Sequence, residues 1–116
     1  MAYEKDIKDR TKRFGVRTIR LCAGLRKNKI DFPLVNQLLR SGTSVGANVI
    51  EAKASSTKKE LIRFYEIALR SANESEYWMD IIKEGYEMDT EVMSDDKKEL
   101  LEISKVLASI IINLKK

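Results

Sequence analysis

The chain of 116 residues contains no histidine and a single cysteine, Cys22. Without histidine there is no imidazole base, no catalytic triad of the usual kinds and no Cys/His metal site. These absences exclude most hydrolytic and redox mechanisms, so we expect no enzyme activity and no cofactor. A lone cysteine cannot form an internal disulfide, and the charged start MAYEKDIKDR lacks the apolar run of a signal peptide. Both observations predict a reducing, cytoplasmic location.

Proline and glycine are also scarce, with one and five copies respectively. A β-sandwich or barrel needs a turn signal every 8 to 12 residues or so, which this composition does not supply. The most apolar stretch, residues 106–112, is interrupted by Ser109 and is far shorter than the roughly 18 residues of a membrane span. The sequence therefore predicts one all-α domain spanning residues 1–116, soluble and without a membrane partner.

Charge is distributed unevenly along the chain. The net charge is +4, from 22 basic and 18 acidic residues. Residues 1–30 hold ten basic and three acidic residues, which leaves an acidic excess in the remainder. This asymmetry indicates either a polyanionic partner or a basic helix that faces an acidic one.

The first predicted helix covers residues 6–27 and is amphipathic, with apolar residues at three-, four- and seven-residue spacings. Beside its apolar face runs a basic stripe, which consists of Arg10, Arg13, Arg17, Arg20 and Lys27. Guanidinium groups at helical spacing suit phosphates and carboxylates equally well. Phosphate binding, pairing with carboxylates and a plain solvated face all remain open for this stripe.

The second predicted helix begins at Pro33, because proline is favoured in the first turn. Its apolar seam includes Gly42 and Gly46, whose GxxxG spacing predicts a close contact between helices. A polar stripe lies beside the seam and consists of Gln37, Ser41, Ser44, Asn48 and Glu51. Solvent exposure explains most such stripes. The functional alternative is that Asn48 and Glu51 meet Arg40 or a partner across an interface.

Two further helices follow. Thr57 and Glu60 form a capping box that opens the third helix, and Gly85 in a left-handed conformation is expected to end it, with Tyr86 packed back onto Ile81. Ser94, followed by Asp95 and Asp96, predicts the cap of the fourth helix. Four amphipathic helices with short connections predict an antiparallel, up-down-up-down four-helix bundle.

Three stretches of the sequence resemble the bacterial four-helix bundle protein family that includes the proteins encoded within intervening sequences of 23S ribosomal RNA genes. They are QLLRSGTSVGANVIEA at residues 37–52, FYEIALRSANESEYW at residues 64–78, and the pair Gly85 and Tyr86. The chain is also similar to the accessory bundle protein of diversity-generating retroelements. The positions that match the family pattern are Gln37, Leu38, Arg40, Ser44, Asn48, Glu51, Phe64, Ala68, Leu69, Glu74 and Glu76.

The resemblance implies a small cytoplasmic bundle that assembles into a ring-like homo-oligomer, with a pentamer as the implied form. It also implies association with nucleic acid and no known catalysis. The charged and polar residues among the matched positions become candidate interface groups. Our leading interpretation is a non-enzymatic oligomeric bundle that binds nucleic acid, RNA before DNA, through the basic stripe. The competing interpretation is a scaffold or accessory subunit whose arginines pair with acids of a neighbouring subunit or a client protein.

Other residues of chemical interest have structural interpretations. Glu51, Glu74 and Glu76 could be carboxylates of a di-metal bundle, but such sites use Glu-x-x-His motifs and the chain has no histidine. Surface or interface carboxylates are therefore preferred, and we expect no metal. Tyr77 and Trp78 could stack a base, whereas a helix–helix contact is the simpler role for Trp78. Cys22 is expected to be a small buried apolar residue.

Overall fold

The computed structural model describes residues 2–116, with side chains from residue 6 onward, as four helices and no strand within that part of the chain. Helix α1 covers Ala2–Lys27, α2 Phe32–Lys53, α3 Lys58–Gly85 and α4 Glu91–Leu114. The connections are short, and the helices pack into an elongated body of 44 × 21 × 20 Å. The expected all-α architecture with four helices is confirmed.

Helix α1 ends in a left-handed residue that is not glycine. Lys29 has a φ of 61°, and the amides of Lys29 and Ile30 donate back to the carbonyls of Arg26 and Leu25. This pair of bonds is the Schellman arrangement. It turns the buried Ile30 into the core, so that α2 begins at Phe32 with Pro33 in its first turn.

Helix α3 begins with Thr57 as its cap, as predicted, and the Thr57 hydroxyl accepts from the amide of Glu60 at 3.1 Å. Its end differs from the prediction. Gly85 is not left-handed; Glu87 has the positive φ, 51°, and the amide of Met88 donates to the carbonyl of Lys83. The helix therefore includes Gly85, and the left-handed residue lies two residues later than predicted and is not a glycine.

Tyr86 then fastens the end of α3 to the α1–α2 turn. Its hydroxyl donates to the Asp31 carboxylate and accepts from the Asp31 amide. The hydrogen bond to the Asp31 carboxylate raises the pKa of the Tyr86 hydroxyl above its ordinary value, and the bond from the Asp31 amide opposes that rise. The sequence predicted only that Tyr86 packs against Ile81 and did not predict these hydrogen bonds to Asp31.

Helix α4 starts earlier than predicted. Thr90 is its cap and accepts from the amide of Met93 at 3.1 Å, so Ser94 lies within the first turn and is exposed. Both residues are good caps by type. Thr90 takes the role because Met93 is then buried, and because Asp96 then faces the interior instead of the helix start.

The core consists of the predicted seams of the four helices. Its largest fully buried side chains include Phe14, Leu38, Met79 and Leu107, and Cys22 is buried with them, as expected. Helices α1 and α3 each pack against α2 and α4 and do not contact each other within the described residues. They therefore lie at opposite corners of the bundle.

The two helix-two glycines face α1. A Cβ added to Gly42 would lie 2.5 Å from Thr18 Cγ2, and one added to Gly46 would lie 3.1 Å from the Thr11 carbonyl oxygen. Thr11 and Thr18 are buried, and their hydroxyls donate to the carbonyls of Ile7 and Phe14. The missing side chains on α2 thus make room for two threonines on α1.

Candidate nucleic-acid interface

The basic stripe of α1 divides into two rows in the structure. The inner row, Arg10 and Arg17, faces α4. Arg10 donates from Nε and one Nη to the two carboxylate oxygens of Glu99, each at 2.8 Å. This bidentate interaction holds the pKa of Glu99 below its ordinary value, chiefly because hydrogen bonding to Arg10 favours the charged carboxylate.

Arg17 makes the second contact of the inner row. Its Nε donates to Asp96 Oδ1 at 2.7 Å, and the Asp96 side chain is only 6% exposed. Burial raises the pKa of Asp96 above its ordinary value, and the hydrogen bond from Arg17 opposes that rise. Because Asp96 Oδ2 is buried without a partner, Arg17 is the group that compensates this carboxylate.

The outer row, Arg13, Arg20 and Lys27, points to solvent. All three residues are exposed, and no carboxylate among the described residues lies within ion-pair distance of them. Arg13 and Arg20 border a surface groove of about 410 Å³ whose other walls include Lys12 and Val16. The outer row is therefore a set of cations open to an external anion.

The polar stripe of α2 is solvated only in part, because its serines contact α3. Ser75 donates to Ser41 Oγ at 2.8 Å, and Ser44 and Ser71 share a hydrogen bond of 2.9 Å. Ser41, Ser71 and Ser75 are buried. The solvent interpretation is thus wrong for Ser41 and Ser44, which form a hydroxyl ladder with α3 because small side chains let the two helices approach closely.

Some of the charged and polar positions that match the family pattern lie together in one groove. A groove of about 490 Å³ between α2 and α3 is lined by Gln37, Arg40, Ser44 and Glu74, together with small residues. Asn48 does not reach Arg40; its amide donates to the carbonyl and hydroxyl oxygens of Ser44, each at 2.9 Å.

Two of the candidate carboxylates lie outside this groove. Glu51 is exposed on α2, and Glu76 is half-buried on α3. The three candidate carboxylates form no metal-ligand cluster, and no such group of three or more exists elsewhere among the described residues.

The aromatic pair of α3 has a structural contact. Trp78 is half-buried against the core and donates from Nε1 to Glu74 at 3.1 Å. Tyr77 lies edge-on to it, with ring centroids 5.2 Å apart, and is 57% exposed. Trp78 thus fills a helix contact, while Tyr77 projects into solvent.

Sequence reasoning missed an apolar groove between α1 and α2. It has a volume of about 480 Å³ and carries three exposed aliphatic side chains, Val16, Ile19 and Ile50, which are 42%, 53% and 43% exposed. The signal was present, because Val16 and Ile19 lie outside the predicted apolar face of helix one. Lone surface aliphatics are common, however, and only the fold places these three together.

Comparison with known proteins defines the family. The 23S rRNA-intervening sequence protein family matches residues 4–109. The chain belongs to that family. A solved structure of a protein of unknown function from the S23 ribosomal protein family of Bacteroides thetaiotaomicron VPI-5482 is 35% identical, with a TM-score of 0.87, and the match covers 93% of this chain and 96% of that one. No curated protein matches the sequence.

The TM-score shows that the chain and this solved protein have the same fold. It does not assign an activity, since that relative is itself described as of unknown function. Within the described residues, none of the four helices has an apolar stretch of the length needed to cross a bilayer.

Proposed function

We propose that this protein binds RNA without base specificity, through phosphate contacts from the outer row Arg13, Arg20 and Lys27. The observation that carries the proposal is that these cations are exposed and have no carboxylate partner among the described residues. Arg10 and Arg17 are reassigned, because their guanidinium groups already hold α4. They position the helix that presents the outer row.

The outer row has the extent that backbone binding needs. Lys27 follows Arg13 by fourteen positions, a rise of about 21 Å along a helix, so the row can contact several phosphates of one strand. Between residues 6 and 27 there are eight basic residues and only two acidic ones. Such a field favours polyanions and speeds their encounter.

The outer row consists of cations and carries no aromatic side chain. Phe14, the one aromatic residue among the α1 side chains described from residue 6 onward, is buried, so these side chains offer no stacking platform for a base. Contacts to phosphate position a nucleic acid but carry no sequence information. RNA is preferred over DNA because the family is named for intervening sequences of 23S rRNA.

The unit we propose is an antiparallel up-down-up-down bundle that assembles into a ring-like homo-oligomer, with five subunits as the form implied by the family resemblance. Ser41 meets Ser75 while Ser44 meets Ser71, so the sequence number rises along α2 as it falls along α3. In the pairs Arg10–Glu99 and Arg17–Asp96 the sequence number likewise rises along α1 as it falls along α4. These contacts support the antiparallel order.

We assign no catalytic step and no cofactor to the protein. The chain has no histidine, and the carboxylates that contact the basic stripe are occupied by arginines. A cytoplasmic location fits the single buried thiol of Cys22.

A scaffold that binds an acidic client protein is the second candidate. The inner row favours it, because this chain already satisfies two of its stripe arginines with carboxylates. In that case the outer row would receive acidic groups of a client in the same way.

Binding of purified, nuclease-treated protein to a single-stranded RNA of mixed sequence tests the proposal. The triple variant Arg13→Gln/Arg20→Gln/Lys27→Gln should lose about tenfold or more in affinity at moderate salt. A control, Lys58→Gln/Lys59→Gln/Lys116→Gln, removes the same charge from exposed cations outside α1 and should bind almost as the parent does. Equal losses of RNA affinity in both variants would show that only net charge matters. Unchanged RNA affinity in the first variant would contradict the proposal and favour the scaffold function.

A further inference from the structure

Gly15 lies inside α1 and has no packing reason within its own chain. A glycine in a helix interior costs about 1 kcal/mol relative to alanine. Gly42 and Gly46 offset that cost by making room for Thr18 and Thr11, whereas a Cβ built on Gly15 has no neighbouring atom within 4 Å. The space above Gly15 is therefore open to a group from outside the chain.

Gly15 lines the apolar α1–α2 groove that carries Val16, Ile19 and Ile50. The groove also includes Gly46 and Ala47, so its floor is made of backbone and small side chains. Lys8 and Lys12 stand on its rim and are exposed. The groove thus presents an apolar centre with a cationic edge, which fits a helix that carries carboxylates beside apolar side chains.

The opposite corner of the same bundle offers that helix. The outer face of the second half of α3 carries the acidic stripe Glu74, Tyr77, Ile81 and Glu84, at spacings of three, four and three residues. Tyr77 is the exposed aromatic at its middle, and residues 74–85 contain four acids and one base. Because α1 and α3 lie at opposite corners, one molecule cannot join these two surfaces to each other.

We propose that the α1–α2 groove receives the acidic stripe of α3 from a second copy of the chain. This inference rests on the self-association included in the proposed function and names its two surfaces. The contact is head-to-tail, so each subunit uses its groove toward one neighbour and its stripe toward the other. Repetition of such a contact gives a closed ring when the rotation closes.

The apolar groove and the outer row are neighbouring surfaces of α1. Lys12 and Val16 border both the apolar groove and the groove beside Arg13 and Arg20. The outer-row residues themselves do not line the apolar groove. Ile19→Glu therefore leaves the three outer-row cations in place, and substitutions of the outer row leave the lining of the apolar groove unchanged.

Light scattering and analytical ultracentrifugation of three variants test the inference. Ile19→Glu places a carboxylate in the groove, and Tyr77→Lys places a cation in the stripe; each should weaken assembly about tenfold or more. Ile112→Glu is the matched control, since Ile112 is 60% exposed on α4, and its mass should equal the parent mass. Unchanged helical circular dichroism confirms that each variant is folded.

A mixture of the two defective variants gives the decisive result. Tyr77→Lys retains an intact groove and Ile19→Glu retains an intact stripe, so together they should form a species of twice 13.3 kDa that neither forms alone. Failure of the mixture to pair, or a parent-like mass for either variant, overturns the proposed surfaces while an oligomeric parent keeps the self-association. A monomeric parent overturns both.

A second groove variant guards against a charge effect. Gly15→Leu adds only apolar volume to the groove, whereas Gly24→Leu adds it at another open glycine of α1 outside that groove. The first should weaken assembly and the second should not. Equal behaviour of the two leucine variants contradicts the inference.

Discussion

The substitution Gly42→Ala isolates the packing of α1 against α2. Its Cβ would lie 2.5 Å from Thr18 Cγ2 and 2.7 Å from Thr18 Oγ1, distances that force one of the groups to move. Thr18 is 1% exposed, and its hydroxyl donates to the Phe14 carbonyl at 2.8 Å. Rotation of Thr18 would break that bond, and separation of the helices would loosen the α1–α2 packing, so either response costs stability.

Two opposing effects set the magnitude. Overpacking of a filled core costs about 1 to 3 kcal/mol, and alanine gains about 1 kcal/mol in helix propensity over glycine. We expect a net loss of up to about 2 kcal/mol in the free energy of unfolding, or a Tm lower by up to about 8 °C for a chain of this size. Gly24→Ala, at an open position of α1, should instead raise the stability by up to about 1 kcal/mol.

Urea unfolding followed by circular dichroism measures both variants. The Thr18→Ser background removes the methyl group that the new Cβ meets, so Gly42→Ala should cost less there than in the parent, with a coupling of about 1 kcal/mol. A Gly42→Ala variant that is as stable as Gly24→Ala would refute the reasoning. It would mean that the α1–α2 contact can accommodate a methyl group beside Thr18 without loss of stability.

Three other predictions concern the α1–α4 interface and the core. Arg17→Met should destabilise the fold by up to about 3 kcal/mol in urea unfolding, because it leaves the buried Asp96 carboxylate uncompensated, whereas Arg10→Met should cost about 1 kcal/mol or less because Glu99 can reach water. Because the pKa of Glu99 is lowered in the folded chain, the Arg10–Glu99 pair stabilises the fold above the ordinary pKa of 4.5, and this stabilisation is lost as the pH falls below it. The pKa of Asp96 is raised, so its effect has the opposite sign: its contribution to stability falls as the pH rises above 3.8. Glu99→Gln removes the part of the free energy of unfolding that is lost as the pH falls below 4.5, so acidification should lower the stability of this variant less than that of the parent, measured by unfolding at a series of acid pH values. Equal losses in the two proteins would contradict this. Burial raises the pKa of Cys22 to about 11, so iodoacetamide at pH 8 should label it, by mass spectrometry, only when the chain is unfolded.

The apolar periodicity of the sequence predicts the helices well, because burying a continuous apolar face is the dominant favourable term in folding. Helix ends are less determined by it. Thr90 and Ser94 are both suitable caps, and the choice between them depends on whether Met93 and Asp96 face the core. Likewise Gly85 is the residue best suited to a left-handed angle, yet Glu87 adopts it, because Tyr86 bonds to Asp31 from a different element.

Surface chemistry was only partly predictable for a related reason. The alternation of Ser41, Ser44 and Asn48 is the same for a solvated stripe and for a buried hydroxyl ladder, since serine can satisfy its hydroxyl against its own helix. The five cations of the basic stripe are equally indistinguishable in sequence. Their division into Arg10 and Arg17 on one side and the outer row on the other depends on where α4 lies.

The salt dependence of RNA binding tests the central claim most directly. The affinity of the parent and of Arg13→Gln/Arg20→Gln/Lys27→Gln for one single-stranded RNA would be measured from low to moderate salt. If each residue of the outer row neutralises one phosphate, the slope of log affinity against log salt should be shallower by about 2 to 3 units in the variant, at roughly 0.7 to 0.9 per contact. An unchanged slope and unchanged affinity in a folded variant would contradict phosphate binding by the outer row.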